Sequence, residues 1–349
     1  QNLVPYAPGE QPQDAQYIKL NTNESPFPPS PGVLKAVSIE ANRLQLYSDP
    51  TCRQLTEKLA EVYGIKPQQV IMTNGSDEAL FFAFLAFADD EKPLVFPDIT
   101  YGFYSVFADL CGIKYKTISL QDDFSILPED FIPQNGHCQT VVLANPNAPT
   151  GLYLSQNEIR KILCANRENL VIVDEAYIDF GGESVVPLIN EYDNLLVTQT
   201  FSKSRSMAGA RLGFAIGNES LINDLHTIRY STNPYNINRM TIAAGIAALT
   251  ENCYYMDNCN EIVRVRENTR YALLDRGFEV LPSYTNFLFI RSHLISGEQL
   301  YTELKNRQIL VRHFNNQRIK DFIRVTIGTD EQMHQFIKAL DSILEKAGK

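Results

Sequence analysis

Two segments place charged side chains just where apolar runs end. Val173-Asp174-Glu175-Ala176-Tyr177 follows Leu170-Val171-Ile172, and Thr200-Phe201-Ser202-Lys203 follows Leu195-Leu196-Val197. A carboxylate at a buried strand end is poorly solvated unless a cation meets it. A protonated ring nitrogen would meet that need and would make the ring a better electron sink. A helix N-cap or a structural ion pair would serve Asp174 equally well. A lysine in a partly desolvated pocket can lose its charge and attack an aldehyde to form a Schiff base. A lone lysine is usually a solvated surface residue, so it is the combination of Lys203 with Asp174 that favours the chemical reading.

Other residues near these runs could hold an anion. Arg211 has a guanidinium suited to gripping a phosphate, and Gly209 and Gly213 beside it would let the backbone come close. Thr73-Asn74-Gly75-Ser76-Asp77-Glu78 follows a strand and opens a helix, an arrangement whose free N–H groups cradle phosphates. Read bare, it is simply a well-capped helix. Tyr101 could stack on a planar ring, although most of the 17 tyrosines belong to core or rim.

The elements that must position these residues follow from patterning. Residues 1–30 are rich in Pro and Asn without periodicity and read as an extended arm laid over something else, such as a partner subunit. From 31 to 235, Val70-Ile71-Met72, Pro93-Leu94-Val95-Phe96, Val141-Val142-Leu143 and Leu212-Gly213-Phe214-Ala215-Ile216 join the two runs above as short, consecutively apolar stretches. Such stretches fit buried, mostly parallel strands, and the longer helical patterns between them imply an α/β domain with helices on both faces of a sheet. Residues 236–349 change to a long helical stretch through Ile262, Val265 and Leu273, then Phe287-Leu288-Phe289-Ile290, a helix near Leu300, Ile323-Arg324-Val325-Thr326-Ile327 and a terminal helix. This reads as a smaller α+β domain with a cleft against the first, and ligands are expected beyond the carboxyl ends of the strands.

Composition narrows the function. The 349 residues are 44% hydrophobic and 21% charged, ordinary for a globular protein, and the formal net charge of −10 argues against a nucleic-acid or membrane-surface binder. Six scattered cysteines without a C-x-x-C pair fit reduced thiols in a cytoplasmic protein. Five histidines, His137, His226, His293, His313 and His334, form no close ligand pair, so no metal is expected. No apolar run approaches the ~20 residues of a membrane helix, and Pro5, Pro8 and Pro12 do not suit a signal peptide. The chain starts at Gln1, which leaves room for a segment removed upstream.

Taken together, the segments resemble the fold-type I pyridoxal-phosphate (PLP) aminotransferases, and within them the histidinol-phosphate aminotransferases. The resemblance runs from Leu20-Asn21-Thr22-Asn23-Glu24-Ser25-Pro26 to Arg324-Val325-Thr326-Ile327-Gly328-Thr329. It implies that Lys203 carries the cofactor as a Schiff base, Asp174 pairs with its pyridine nitrogen and Tyr177 hydrogen-bonds its phenolic oxygen. Gly75, Ser76, Asp77, Ser202 and Arg211 would bind the phosphate, and Tyr101 would stack on the ring. Tyr47 resembles the family tyrosine that reaches a neighbouring subunit's cofactor, which implies a homodimer with shared sites. Arg324 would grip the substrate's anionic group, Arg312 would add a second cation, and Asn23 would belong to a lid formed by the arm. Most relatives carry N-P-T-G, but here Asn145-Pro146-Asn147-Ala148-Pro149-Thr150-Gly151 has Ala148 in the asparagine's place. Asn147 is the favoured substitute, with Asn145, or Tyr177 acting alone, as alternatives.

The implied activity is transfer of an amino group from L-histidinol phosphate to 2-oxoglutarate, giving imidazole acetol phosphate and L-glutamate. An aromatic amino-acid aminotransferase would share every cofactor residue. A phosphothreonine decarboxylase has a related pattern but would release carbon dioxide. A non-catalytic PLP-binding regulator would need a DNA-binding module and a basic face, which the chain lacks. An inactive relative would have lost the lysine.

Overall fold

The consecutively apolar runs become strands whose side chains are buried on both faces. The computed structural model describes residues 3–133 and 138–347. Among the described residues the arm carries only β1 (Ile18–Lys19) and leads to α1 (Pro31–Ala41) and α2 (Arg53–Tyr63). Next come β2 (Val70–Thr73), α3 (Ser76–Phe87), β3 (Leu94–Pro97), α4 (Phe103–Cys111), β4 (Tyr115–Ile118), β5 (Thr140–Ala144), α5 (Gln156–Ala165), β6 (Val171–Asp174), β7 (Leu195–Thr200) and β8 (Gly213–Gly217). Their seven strands form one sheet in the order β2-β8-β7-β6-β5-β3-β4. Strands β3 to β7 pair in parallel, and β8 alone runs against both its neighbours.

Strand periodicity explains the unbroken hydrophobicity of these runs. Val141, Leu143, Val171 and Val173 enter the core on one face, whereas Val142, Ile172, Leu196 and Ala215 enter the core on the other. Successive side chains point to opposite faces, so a sheet covered on both needs apolar residues at every position. The outermost strand, β4, has exposed Tyr115, Lys116 and Thr117 and is the strand that patterning overlooks.

The second half of the chain contains α6 (Glu219–Thr232), α7 (Arg239–Thr250), α8 (Asn252–Leu274), β9 (Glu279–Val280), β10 (Phe287–Arg291), α9 (Gly297–Lys305), β11 (Ile309–Leu310), β12 (Arg312–His313), β13 (Phe322–Thr326) and α10 (Asp330–Ala347). An antiparallel sheet β12-β13-β10-β9 supports its own core, in which Ile262, Val265 and Leu273 of α8 meet Leu288, Ile290, Ile323, Val325, Phe336 and Leu340. Packing moves the division expected at 235/236. Ala244, Ala248 and Leu249 of α7 belong to the core of the large sheet, so the changeover falls within α8.

The arm is laid over its own chain. β1 pairs in parallel with β11, Leu20 N–H donates to Leu310 O at 2.8 Å, and Thr326 N–H donates to Leu20 O at 2.9 Å. These bonds carry residues 20–24 between the two bodies, over the carboxyl ends of the large sheet's parallel strands. Arg324 alternates with Ile323 and Val325 along β13 and so faces away from the small core, toward the same cleft.

Candidate active site

Parallel strands deliver Asp174 and the Lys203 loop to one cavity. Asp174 ends β6 and Thr200 ends β7; the cavity beyond them measures about 770 Å³ including its mouth and is lined by Asp174, Tyr177, Ser202, Lys203, Arg211 and Tyr101, among others. A second chamber of about 1320 Å³ continues from it, shares Thr22, Tyr101, Ala148, Tyr177 and Lys203 as walls, and extends to Arg312 and Arg324.

Asp174 is sealed from solvent, and no cation touches it among the described residues. Tyr104 donates its hydroxyl to Oδ2 at 2.9 Å, and Thr198, its register partner on β7, donates Oγ1–H to Oδ1 at 3.2 Å. Burial, opposed by the Tyr104 bond, pushes its carboxyl up to about 6. The neighbouring Glu175 turns to the opposite face, where Ser184 Oγ, Gln199 Nε2 and Val185 N–H satisfy it, so only one carboxylate of the Asp-Glu pair reaches the cavity.

Lys203 is the complementary case. Its Nζ donates to Thr22 O in the arm at 3.1 Å and lies 5.8 Å from the centre of the Tyr177 ring. Burial, helped by the charge of Arg324, lowers its pKa to about 8. A lysine shifted in this way can lose its proton near neutral pH and act as nucleophile or base.

The anion cradle forms where β2 turns into α3. Gly75 adopts φ +78°, open to glycine, and a Cβ there would lie 2.6 Å from Nη2 of Arg211. A Cβ on Gly213 would sit 2.3 Å from the backbone nitrogen of Ser76, whereas one on Gly209 would meet nothing within 4 Å. At Gly213 the close approach is thus between β8 and the turn that opens α3, whereas Gly209 faces open space. Arg211 Nη2 donates to Asp77 Oδ2 at 3.1 Å, and Nη1 to Ser202 Oγ at 3.4 Å, so the guanidinium, Ser202 and the first turn of α3 converge on one point. Tyr101 is held over the cavity by its hydroxyl, which donates to Asp77 Oδ1 at 2.8 Å.

Arg324 is half-buried, stands 5.2 Å from the Phe287 ring centre, donates Nη2–H to Asn21 O at 3.1 Å and leaves its buried Nε without a partner among the described residues. Arg312 donates to the carbonyls of Ala7 at 2.8 Å and Pro8 at 3.1 Å, which commits it to holding the arm. Asn23, 1% exposed, donates Nδ2–H to the Tyr177 hydroxyl at 2.8 Å.

The structure does not bring Asn147 to the cavity. Its Nδ2 donates to Ile99 O and Thr150 Oγ1, and its Oδ1 accepts from Thr100 Oγ1, so every side-chain polar atom is used within the wall. Asn145 is likewise closed on both polar groups of the Leu154 backbone. Ala148 lines the cavity and offers no donor. Tyr47 does not reach the cavity of its own chain. It is 80% exposed, stacks on Tyr235 and has its carbonyl held by Arg239.

Three contributors escaped the sequence reading. Tyr104 was signalled only by its spacing from Tyr101 across the first turn of α4, Thr198 by its register with Asp174, and Tyr6 only by lying in the arm. Tyr6 stacks on Phe103 and lines the outer chamber. Among the described residues no group of three or more His, Cys, Asp or Glu is placed to hold a metal ion, and no helix is long and apolar enough to cross a membrane. His137 lies outside the described residues.

The family model for aminotransferase class I and II matches residues 15–340. A histidinol-phosphate aminotransferase of Brachyspira hyodysenteriae is 49% identical over 347 residues, covering 99% of this chain and 97% of that protein. One from Clostridium acetobutylicum is 47% identical over 336 residues, covering 96% and 95%. The crystal structure of the Sinorhizobium meliloti histidinol-phosphate aminotransferase in complex with pyridoxal-5'-phosphate superposes with a TM-score of 0.87 at 25% identity, covering 95% of this chain and 91% of that one.

Proposed function

Because this chain belongs to the class I and II aminotransferases, we propose that it is a PLP-dependent enzyme that moves the amino group of L-histidinol phosphate to 2-oxoglutarate. The single observation that carries the reading is the convergence of the Lys203 amine, the cation-free buried Asp174 and the Arg211 cradle on one cavity. These residues fit the cofactor. A buried carboxylate pushed up to about 6 lacks the cation that a protonated pyridine nitrogen would supply, and the absence of a Cβ at Gly75 lets the Arg211 guanidinium lie against the first turn of α3, where a phosphate would meet both.

Bound PLP supplies an aldehyde carbon for the amines and a ring that takes up the electron pair released at the substrate carbon. In this reading Lys203 Nζ would hold the cofactor and would move the proton taken from the amine-bearing carbon. Asp174 would accept the hydrogen bond of a protonated ring nitrogen, and Tyr177 would donate its hydroxyl to the phenolic oxygen. Ser202, Arg211 and the Gly75-Ser76-Asp77 turn hold the phosphate, and Tyr101 covers the ring. Arg324 accepts the substrate phosphate in one half-reaction and the acceptor's carboxylate in the other, with Arg312 beside it. The arm, through Thr22 and Asn23, closes the cavity against water.

A cytoplasmic homodimer belongs to the same proposal. Tyr47, exposed together with Leu44, Leu46 and Tyr235, supports a face covered by a second copy, and six free cysteines among the described residues support a reducing compartment. The test is the visible absorption of PLP-loaded protein before and after L-histidinol phosphate is added without an oxo acid. Conversion to the amine form of the cofactor is expected. A response to phenylalanine or tyrosine alone would move the substrate to the aromatic amino acids, and the absence of any lysine-bound cofactor would overturn the proposal.

A further inference from the structure

Ala148 leaves the wall of the cavity without an amide, and Asn145 and Asn147 are turned away from it. The side-chain amide nearest to Tyr177 comes instead from the arm. Asn23 Nδ2 lies 2.8 Å from the Tyr177 hydroxyl, although the two residues are 154 positions apart.

The orientation of this amide follows from its other bonds. The backbone N–H of Asn23 donates to Thr326 Oγ1 at 2.9 Å, which leaves the Thr326 hydroxyl hydrogen to donate to Asn23 Oδ1 at 3.0 Å. With its oxygen taken, the amide meets Tyr177 with N–H, and the tyrosine oxygen must accept. Asn286 Nδ2 fixes the carbonyl of Asn23 at 2.9 Å, and the residue sits at φ +57°, a left-handed conformation that asparagine tolerates better than most residues.

We infer that Asn23 is a positioning residue for Tyr177: by occupying an acceptor lone pair of the hydroxyl it leaves the phenol hydrogen to point into the cavity, where, with Ala148, Asn145 and Asn147 offering no donor, Tyr177 would be the donor among the described residues to the cofactor's phenolic oxygen. The inference rests on the cofactor assignment above. A hydroxyl so directed favours the unprotonated phenolic oxygen and lowers the pH at which the lysine-bound cofactor loses its proton.

The experiment is a pH titration of the visible spectrum of PLP-loaded protein, which needs no turnover. Asn23→Gly keeps the positive φ without penalty and removes the amide. The midpoint should rise by about half a pH unit or more. In a Tyr177→Phe background the same substitution should leave the midpoint where Tyr177→Phe alone puts it, because the tyrosine transmits the effect. Thr326→Val, which frees the amide to rotate, should move the midpoint in the same direction and provides a second route if Asn23→Gly loses the arm. An unchanged midpoint in Asn23→Gly and Thr326→Val, or equal shifts with and without Tyr177, would overturn the inference while leaving the cofactor assignment intact. No lysine-bound spectrum in the parent protein would overturn the assignment and the inference together.

Discussion

The hydroxyl of Tyr104 lies 2.9 Å from Oδ2 of Asp174, with both residues sealed from solvent. One neutral donor from α4 and one from Thr198 on β7 are all that the described side chains give this carboxylate, so its charged form is costly until a cation arrives.

That cost has a pH signature. The folded value of Asp174, about 6, stands above its ordinary 3.8. Its share of stability is therefore complete below about pH 4 and is lost as pH rises through about 6. In the cofactor-free protein Asp174→Asn should raise the stability at pH 7 by on the order of 2–3 kcal/mol, with a gain that shrinks toward zero at pH 4. Calorimetry at the two pH values checks this, and equal gains at both would refute the linkage. The same substitution should impair turnover, a stability–activity exchange.

Lys203→Ala should leave a folded protein without lysine-bound cofactor. Loss of the positioned base is expected to lower kcat by at least ~10³-fold. Steady-state turnover within tenfold of the parent would sink the site assignment.

Tyr47 is held away from the cavity of its own chain by stacking on Tyr235 and by the bond from Arg239 to its carbonyl. If it completes a neighbour's cradle, mixing Tyr47→Phe and Lys203→Ala subunits should create hybrids with one intact site each. With random assortment about a quarter of the sites in the mixture become native. Activity no greater than the sum of the two parents would count against shared sites.

Arg324 faces both anionic groups in the proposed reaction, whereas Arg312 is engaged with Ala7 and Pro8 of the arm. Arg324→Gln should lower kcat/KM by about 10²-fold in both half-reactions, since a charge-assisted bond contributes roughly 1.5–3 kcal/mol. Arg312→Gln should act mainly through KM, by less than about tenfold if the arm supplies the rest of the closure. Single-turnover kinetics with each substrate separates the two, and an effect of Arg324→Gln on one half-reaction only would contradict the dual role.

Gly213→Ala should lower stability by roughly 2–3 kcal/mol and weaken PLP binding, because its Cβ meets backbone that cannot yield. Gly209→Ala should stay within about 0.5 kcal/mol, having open space around it. Thermal unfolding of the pair checks the contrast, and equal losses would place the close approach elsewhere.

The strands of the large sheet were legible as consecutive apolar runs because both faces are buried, and the same logic made Asp174 and Lys203 conspicuous as charges where burial should continue. β4 was not legible, since an edge strand carrying exposed Tyr115, Lys116 and Thr117 has no reason to be apolar. Nor could patterning assign α7, whose apolar face suits either body and is committed only by packing into the core of the large sheet.

At the site, residue types and local spacing determined the chemistry available: an amine, a buried acid, a guanidinium and a helix start with small residues around it. The direction each amide and hydroxyl faces was decided by tertiary structure alone. Asn147, next to Ala148 in the chain, is drawn into the wall by Thr100 and Ile99, while Asn23 reaches Tyr177 because β1 pairs with β11 and Thr326 holds the amide in place. A hydrogen bond needs its partners within about 3 Å and suitably aligned. Sequence neighbours share a strand or a turn, but only the folded chain brings residues 154 positions apart to that distance.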